Sequence, residues 1–171
     1  HLGCNAGSRS PEVPRLFWWE GPDGSRLLTG SNDNVIQVWD TADWSKRCKL
    51  VGHTGTVNCA RFDSSPGGQL IGSCSFDRTV KLWKADGSEP AGRLIGLSER
   101  VESLSFSPDG KRLAVTGGIP SRMGEVQVWD VAKRKLLLSA PVGFDTIFGV
   151  SWSPDGSKIA FGCTDNTVRA I

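Results

Sequence analysis

Residues that together could do nucleophilic chemistry lie close to one another in the middle of the chain. They are His53, Ser73, Ser75 and Asp77. A histidine held by a carboxylate can take the proton of a serine hydroxyl, which is the chemistry of a Ser-His-Asp hydrolase. Such enzymes also need a strained turn that exposes the serine and an oxyanion-hole loop, and neither motif accompanies these residues. We therefore assign no catalytic residue and do not predict an enzyme.

The cysteines do not indicate a metal or haem site. They are Cys4, Cys48, Cys59, Cys74 and Cys163. The chain contains no C-x-x-C or C-x-x-C-H motif and no His/Cys pair at the spacing of metal ligands. Three of the cysteines lie in strand-like runs, where a reduced thiol acts as a small hydrophobic side chain. We predict no cofactor, no metal and no disulfide framework.

The composition predicts a globular core and excludes several classes of partner. Of 171 residues, 38% are hydrophobic and 22% are charged, and the net charge is only +2. Because cations and anions alternate along the chain, nucleic acid is not a predicted partner. The one dense basic run, residues 133–135, is interpreted as a solvated turn rather than a contact patch. No apolar stretch is long enough to predict a membrane span, and no leader pattern is present.

Four copies of one sequence pattern position the residues named so far. Each copy begins at a Pro-Asp-Gly or Pro-Gly-Gly turn, at Pro22, Pro66, Pro108 and Pro154. Each closes with a short β-rich run, in which Trp39, Trp83, Trp129 and Ile171 hold one aligned position. A period of roughly 44 residues with four strand-like runs is typical of a propeller blade and not of a helical solenoid.

The predicted fold is therefore all-β, a partial β-propeller of about four blades, each a four-stranded antiparallel sheet. We place an irregular segment at residues 1–14 and blades at approximately 15–53, 54–97, 98–142 and 143–171. The last blade lacks its outer strand. Because the chain begins at His1 without Met and stops inside a strand pattern, we expect a fragment of a longer chain.

Residues 15–171 resemble the WD-repeat β-propeller family, and the second unit resembles it most. That unit carries Gly52-His53 before its first strand, a serine pair in the second, Asp77 in the turn and Trp83 in the third. In the family such residues form a hydrogen-bonded relay inside a blade. The resemblance implies that His53, Ser75, Asp77 and Trp83 take these roles, with Ser73 as the alternative to Ser75.

The other units keep only parts of this pattern. The first has Asp33 and Trp39 without Gly-His, the third has Trp129 without a turn Asp, and the fourth has Asp165 alone. We expect packing alone to hold these blades, which would make them less stable than the second. Family propellers usually close with six to eight blades, so four would leave two apolar flanks exposed. Missing blades of the same chain or a homodimer would cover them.

The resemblance implies a non-catalytic protein–protein interaction scaffold with a protein partner that the sequence does not identify. Residues 96–171 look more narrowly like WD-repeat regions of bacterial multidomain proteins, some with a cytochrome-c-type domain. The alternative is thus an accessory domain of a larger bacterial redox or hydrolytic protein. A propeller enzyme with a central-channel site is a third class, but the inner strands offer only Arg61 and Glu102 and no histidine. The compartment is left open, with the cytoplasm as the default and the periplasm in the cytochrome case.

A longer turn in the third unit is the first candidate for partner binding. Pro108 lies 21 residues before Trp129, whereas Pro22 lies 17 residues before Trp39. The extra residues fall within 117–125, and insertions in a repeat map to loops. The candidates are Ile119, Pro120, Arg122 and Met123. A tolerated surface insertion is the alternative interpretation.

The remaining candidates lie in other loops of the same predicted face. They are Phe76, Glu99, Arg100 and Phe144. Mixed charge beside aromatic side chains favours contact with a protein over contact with a small molecule. Phe76 could instead pack against the adjacent blade, and packing is the predicted role of Trp18, Trp19 and Trp44.

Overall fold

The computed structural model describes residues 17–88, 90–94 and 100–171, and this part of the chain consists of β-strands, turns and loops without a helix. The strands, in chain order, are β1 (Phe17–Glu20), β2 (Arg26–Gly30), β3 (Val35–Asp40), β4 (Lys46–Val51), β5 (Val57–Phe62), β6 (Leu70–Ser75), β7 (Val80–Lys84), β8 (Pro90–Leu94), β9 (Arg100–Phe106), β10 (Arg112–Ile119), β11 (Met123–Asp130), β12 (Lys135–Gly143), β13 (Gly149–Trp152), β14 (Ile159–Gly162) and β15 (Val168–Ala170).

The strands form four separate antiparallel sheets. The first sheet is β1-β2-β3-β4, the second β5-β6-β7-β8, the third β9-β10-β11-β12 and the fourth β13-β14-β15. Each strand pairs with the strand before it, so every sheet is an up-and-down meander, as in a propeller blade. The predicted all-β partial propeller is confirmed, including a last sheet of three strands.

Aspartates fix the turns at both ends of the sheets. Between the second and third strands, a residue with positive φ follows an aspartate in three sheets, namely Asn34 (φ 66°), Arg78 (φ 66°) and Asn166 (φ 62°). In the Pro-Asp-Gly turns, the Asp23, Asp109 and Asp155 carboxylates accept hydrogen bonds from amides two residues later. Both arrangements are Asx turns, in which a side chain replaces a backbone partner. The turn residues of the sequence pattern therefore determine where each strand ends.

The core lies between successive sheets. Residues of the first and second sheets share one cluster, which includes Leu28 and Ile71. A second cluster joins the second and third sheets, with Leu104 at its centre, and a third joins the third and fourth sheets around Val126. Alternation along each strand sends one set of side chains to the preceding sheet and the other to the following sheet. The four sheets are thus packed face to face in chain order.

The closing tryptophans point toward the preceding sheet. Trp83 belongs to the cluster shared with the first sheet, and Trp129 to the cluster shared with the second. Both are almost fully buried, whereas Trp39 is half-buried because no described sheet precedes the first. On the opposite flank, the side chain of Val168 is 79% exposed.

Two of the tryptophans expected to pack do not. Trp18 is 53% exposed and Trp44 is 64% exposed, in β1 and in the turn between β3 and β4. Trp19 does pack, with the Arg61 guanidinium 3.6 Å from the centre of its ring. Alternation along the short strand β1 turns Trp19 toward the second sheet and Trp18 toward solvent. The sequence alone does not show which of these two neighbours faces the core.

Candidate functional site

A continuous chain of hydrogen bonds links four polar side chains inside the second sheet. The indole Nε1 of Trp83 donates to Ser73 Oγ at 2.8 Å. Ser73 Oγ lies 2.7 Å from His53 Nε2, and His53 Nδ1 lies 2.7 Å from Asp77 Oδ2. Without this chain the Trp83 indole N–H and the Nε2 atom of His53 would be buried without a partner, which costs about 1–3 kcal/mol each.

The hydroxyl in this chain is that of Ser73, and the sequence prediction of Ser75 is corrected. Ser75 Oγ instead donates to the Gly55 carbonyl at 2.8 Å and accepts from the Asp77 amide at 3.1 Å. The two serines share one face of β6 because they are two residues apart. Their depth decides between them, since Ser75 ends the strand at the turn and Ser73 lies one pleat further in, beside the indole.

The hydrogen bonds form a chain with one direction when His53 is neutral. A carboxylate only accepts, so Nδ1 carries the proton and Nε2 accepts from the Ser73 hydroxyl. Burial lowers the pKa of His53, against the opposing effect of the hydrogen bond and charge of Asp77. Burial alone would raise the pKa of Asp77, but hydrogen bonds from Thr79, His53 and the Thr54 amide hold it below its usual value. The pair therefore combines a neutral imidazole with a carboxylate.

The same geometry argues against Ser-His-Asp catalysis. The side chains of His53 and Asp77 are 1% and 7% exposed, and Ser73 is completely buried. The Trp83 ring covers the imidazole edge to face, with ring centres 6.0 Å apart. A substrate carbonyl cannot approach Ser73 Oγ, whose two neighbours are both within the protein. What this arrangement can do is hold a buried hydroxyl and indole in place.

In the third sheet, the indole N–H of the tryptophan has a different hydrogen-bond acceptor. This corrects the expectation that packing alone holds the third blade. Trp129 Nε1 donates to Gln127 Oε1 at 3.0 Å, and Gln127 Nε2 donates to Glu125 Oε1 at 2.9 Å. The Ser139 hydroxyl donates to the same carboxylate oxygen. Val115 occupies the register position of Ser73, so the indole needs another acceptor. Alternate polar residues before Trp129 are the signal that sequence reasoning missed.

The first sheet has only the inner part of this series of hydrogen bonds, the bond between tryptophan and hydroxyl. Trp39 Nε1 donates to Thr29 Oγ1 at 2.8 Å, and Thr29 has the register position of Ser73. Asp33 accepts from Ser31 Oγ at 2.7 Å and from the Val35 amide at 3.2 Å. Its carboxylate therefore shapes the turn.

The loops at one end of the four sheets, which we call the loop rim, carry the predicted partner contacts. The loop rim comprises the turns 76–78 and 120–122 and the loops 52–56 and 144–148. The Thr54 amide donates to Asp77 at 3.0 Å, which ties the first of these loops to its own sheet's turn. The Ser121 amide donates to Asp145 at 3.0 Å, which ties the third sheet to the loop that leads into the fourth. Two carboxylates thus fix the rim.

The insertion at residues 117–125 is an extended hairpin. Strands β10 and β11 remain paired up to Ile119 opposite Met123, and Arg122 N donates to the Ile119 carbonyl at 3.1 Å. The backbone of the loop at Asp145 lies directly against this hairpin. Glycine makes that approach possible, because a Cβ on Gly124 would lie 2.1 Å from the Asp145 carbonyl oxygen. The hairpin is buttressed from the side, and its tip is a fixed projection.

The predicted contact residues differ in exposure. Phe144 is 73% exposed and Phe76 is 42% exposed, so Phe76 packs only in part. Pro120, Arg122 and Arg100 are exposed, whereas Ile119 and Met123 are half-buried; Glu99 lies outside the described residues. Phe148 directly precedes β13 and is 58% exposed. The structure therefore groups Phe144 and Phe148 in one loop of the rim.

Within the described ranges, no group of three or more His, Cys, Asp or Glu residues could hold a metal ion. The same residues include no helix able to cross a membrane. Cys59 and Cys74, which face each other on β5 and β6, are buried and reduced.

Comparison with protein-family models gives one match that covers most of the chain. The WD40 model, described as WD domain, G-beta repeat, matches residues 21–40, 44–84, 89–130 and 136–170. The matched repeats are offset from the sheets, since residues 44–84 contain β4 and the first three strands of the second sheet. Each of the last three matched repeats thus links two neighbouring sheets covalently.

The curated relatives are eukaryotic proteins of greater length. The WD repeat-containing protein VIP3 of Arabidopsis thaliana is 28% identical over 83% of this chain and 47% of its own. The small ribosomal subunit protein RACK1 of Candida albicans is 32% identical over 76% of this chain and 41% of its own. Protein hir1 of Schizosaccharomyces pombe is 28% identical over 86% of this chain and 19% of its own. The chain spans less than half the length of these relatives, and they give no support to the bacterial, cytochrome-c-type resemblance.

Replacing Ser73 by alanine tests the buried series of hydrogen bonds from Trp83 to Asp77. We expect Ser73→Ala to lower the free energy of unfolding by about 1–3 kcal/mol, because Trp83 Nε1 and His53 Nε2 both lose their partner. Urea denaturation followed by tryptophan fluorescence measures it. Ser151→Ala is the matched control, because Ser151 is exposed and bonds only the neighbouring carbonyl. Equal stability of the two variants would contradict the assignment.

The lowered pKa of His53 makes stability depend on pH. Below about pH 6.5 the unfolded chain binds a proton that the folded chain resists, so stability falls as the pH falls through this window. His53→Gln cannot titrate, and we expect its melting temperature to change less than that of the wild type between about pH 7.5 and about pH 5.5. His1, the other histidine, is common to both proteins. If the melting temperatures of the wild type and His53→Gln change by the same amount across this pH range, His53 is not the cause of the pH dependence.

Proposed function

Because the chain belongs to the WD domain, G-beta repeat family, we propose that it is a non-catalytic scaffold that binds another protein through the loop rim. The observation that carries this proposal is the pair Phe144 and Phe148, which are 73% and 58% exposed in one loop of the rim. Large aromatic side chains held in water by a fixed backbone are typical of binding surfaces. Phe76 lies on the same rim and adds a third aromatic side chain.

The hairpin tip supplies the polar part of the proposed surface. Arg122 is exposed, and Met123 beside it is half-buried. Arginine and aromatic residues are enriched among the residues that dominate binding energy, and methionine adapts to irregular partner surfaces. Since Asp145 holds both the tip and the loop of Phe144, the surface loses little conformational entropy on binding.

A binding role also fits the chemistry of the described residues. The one constellation of hydrolase type is enclosed, with His53 and Ser73 buried under Trp83. The name of one relative, a small ribosomal subunit protein, places that relative in a larger assembly. For this chain, we carry over only the class of partner, which is protein.

Removing the two phenylalanines tests the proposal. The tagged wild-type chain and Phe144→Ser/Phe148→Ser are used to capture proteins from an extract of the organism that encodes the chain. We expect at least one protein that binds the wild type to be reduced about tenfold or more with the variant, because hot-spot aromatic residues each contribute over 1 kcal/mol. Quantitative mass spectrometry of the bound fractions measures the change.

Trp44→Ser is the matched control, because Trp44 is 64% exposed but lies in the turn between β3 and β4, at the opposite end of the sheets. If Trp44→Ser failed to capture these proteins while the phenylalanine variant still captured them, the binding surface would lie at the opposite end of the sheets. An enzymatic activity of this chain that survives the rim changes but depends on one titratable residue would overturn the scaffold proposal.

A further inference from the structure

The outer strand of the third sheet differs from the outer strands of its neighbours. β12 has nine residues, against six in β4 and five in β8. Three consecutive leucines follow Lys135, and Leu136, Leu137 and Leu138 are 37%, 53% and 45% exposed. Adjacent leucines exposed on a long edge strand need an explanation, because such edges can recruit other chains.

Comparison with β4 shows what the leucines replace. Leu136 is the register partner of Trp129, as Lys46 is of Trp39, and both strands have a bulge at this point. Leu136 and Leu137 therefore occupy the positions of Lys46 and Arg47. Charged side chains on edge strands are a common protection against pairing with another chain. The first sheet has this protection, and the third sheet lacks it after Lys135.

Leu138 lies in a different environment from the other two leucines. Its counterpart on β4 is Cys48, which the turn after β7 covers, since a Cβ on Gly87 would lie 2.7 Å from the Cys48 Cβ. The position of Leu138 is therefore one that the following sheet covers in the first sheet. Leu136 and Leu137 occupy the positions of Lys46 and Arg47, which stay exposed beside that turn, so their exposure is a property of this edge.

We propose that the free edge of β12 binds an extended segment of a partner protein as an additional antiparallel strand. No described strand pairs with this edge, so the outward amides and carbonyls of residues 136–140, before Pro141, are open to a new ladder. Apolar side chains of the added strand cover Leu136 and Leu137. Acidic side chains at its C-terminal end lie beside Lys133 and Lys135, because an antiparallel strand ends where β12 begins.

Charge at the start of β12 specifies the acidic end. Lys133 and Lys135 are exposed, and the nearby Asp130 carboxylate already accepts from the Lys133 amide at 2.7 Å. The Arg134 guanidinium donates to the Ala91 carbonyl of the second sheet, which fixes the turn between the lysines. Two cations thus lie in a fixed place at the start of a strand that is otherwise uncharged, and a carboxylate on the partner would complement them.

A second copy of this chain fits the edge less well than a peptide. Antiparallel pairing of two β12 strands would place Lys135 of each copy opposite the uncharged end of the other, residues 139–143, so neither cation would meet an acidic side chain of the second copy. One added strand over two leucines also buries much less than the ~1,200 Å² that stable protein interfaces start from. This size suits a short segment bound with modest affinity.

The edge is separate from the loop rim, so the inference does not depend on the proposed rim contacts. A library of random seven-residue peptides is displayed and selected on the wild-type chain, and the enriched peptides are measured by fluorescence anisotropy. We expect apolar peptides that end in Asp or Glu, with binding about tenfold or more weaker to Leu136→Lys/Leu137→Arg. That variant carries the residues of β4 at the same bulge, so the sheet accommodates them. Phe144→Ser/Phe148→Ser is the control and should bind these peptides normally.

N-methylation of the enriched peptides tests the ladder on the wild-type chain alone. Methyl groups on alternate amides should abolish binding in one of the two alternate sets and spare it in the other, because only one set faces β12. No enriched peptide, equal binding to the leucine variant, or equal tolerance of both methylated sets would overturn the proposal. So would a wild-type dimer that becomes monomeric in Leu136→Lys/Leu137→Arg, since the occupant would then be a second copy.

Discussion

The structure depends on burying a tryptophan from the third strand of one sheet against the preceding sheet. This burial fills the space between flat sheets, but it also takes an indole N–H out of water, and an unpaired buried donor is costly. Trp83 meets Ser73, and Trp129 meets Gln127. The requirement is constant across these sheets, whereas the residues that satisfy it are not. Hydrogen-bond satisfaction at the interfaces explains why polar side chains occur inside an otherwise apolar core.

The same polar chain connects the core to the surface. Asp77 accepts from the buried His53 ring and from the exposed loop at Thr54, so one carboxylate orders both. In the next loop along the rim, Asp145 fixes the hairpin tip at Ser121. The loops are thus held by single carboxylates on a rigid scaffold. This is how the fold can present aromatic side chains to a partner without ordering them anew.

Much of the fold could be predicted from the sequence, because turns and alternation repeat at a regular spacing and are local signals. The relay of the second sheet was predictable as a set of residue types, but the choice between Ser73 and Ser75 depends on depth within the sheet, which residue spacing does not contain. The Gln127 chain was missed because it uses residues of the strand that carries Trp129 itself. Phe148 was missed because a short apolar run predicts a strand whether its first residue is buried or exposed.

The measurement that tests the account most directly is hydrogen exchange of the tryptophan indole N–H groups, followed by NMR in the assigned wild-type chain. The account predicts slow exchange for Trp83 and Trp129, whose donors are bonded inside sheet interfaces, and fast exchange for the exposed Trp44. Exchange of Trp83 and Trp129 as fast as that of Trp44 would contradict it, because the sheets would then not be packed through satisfied indole groups.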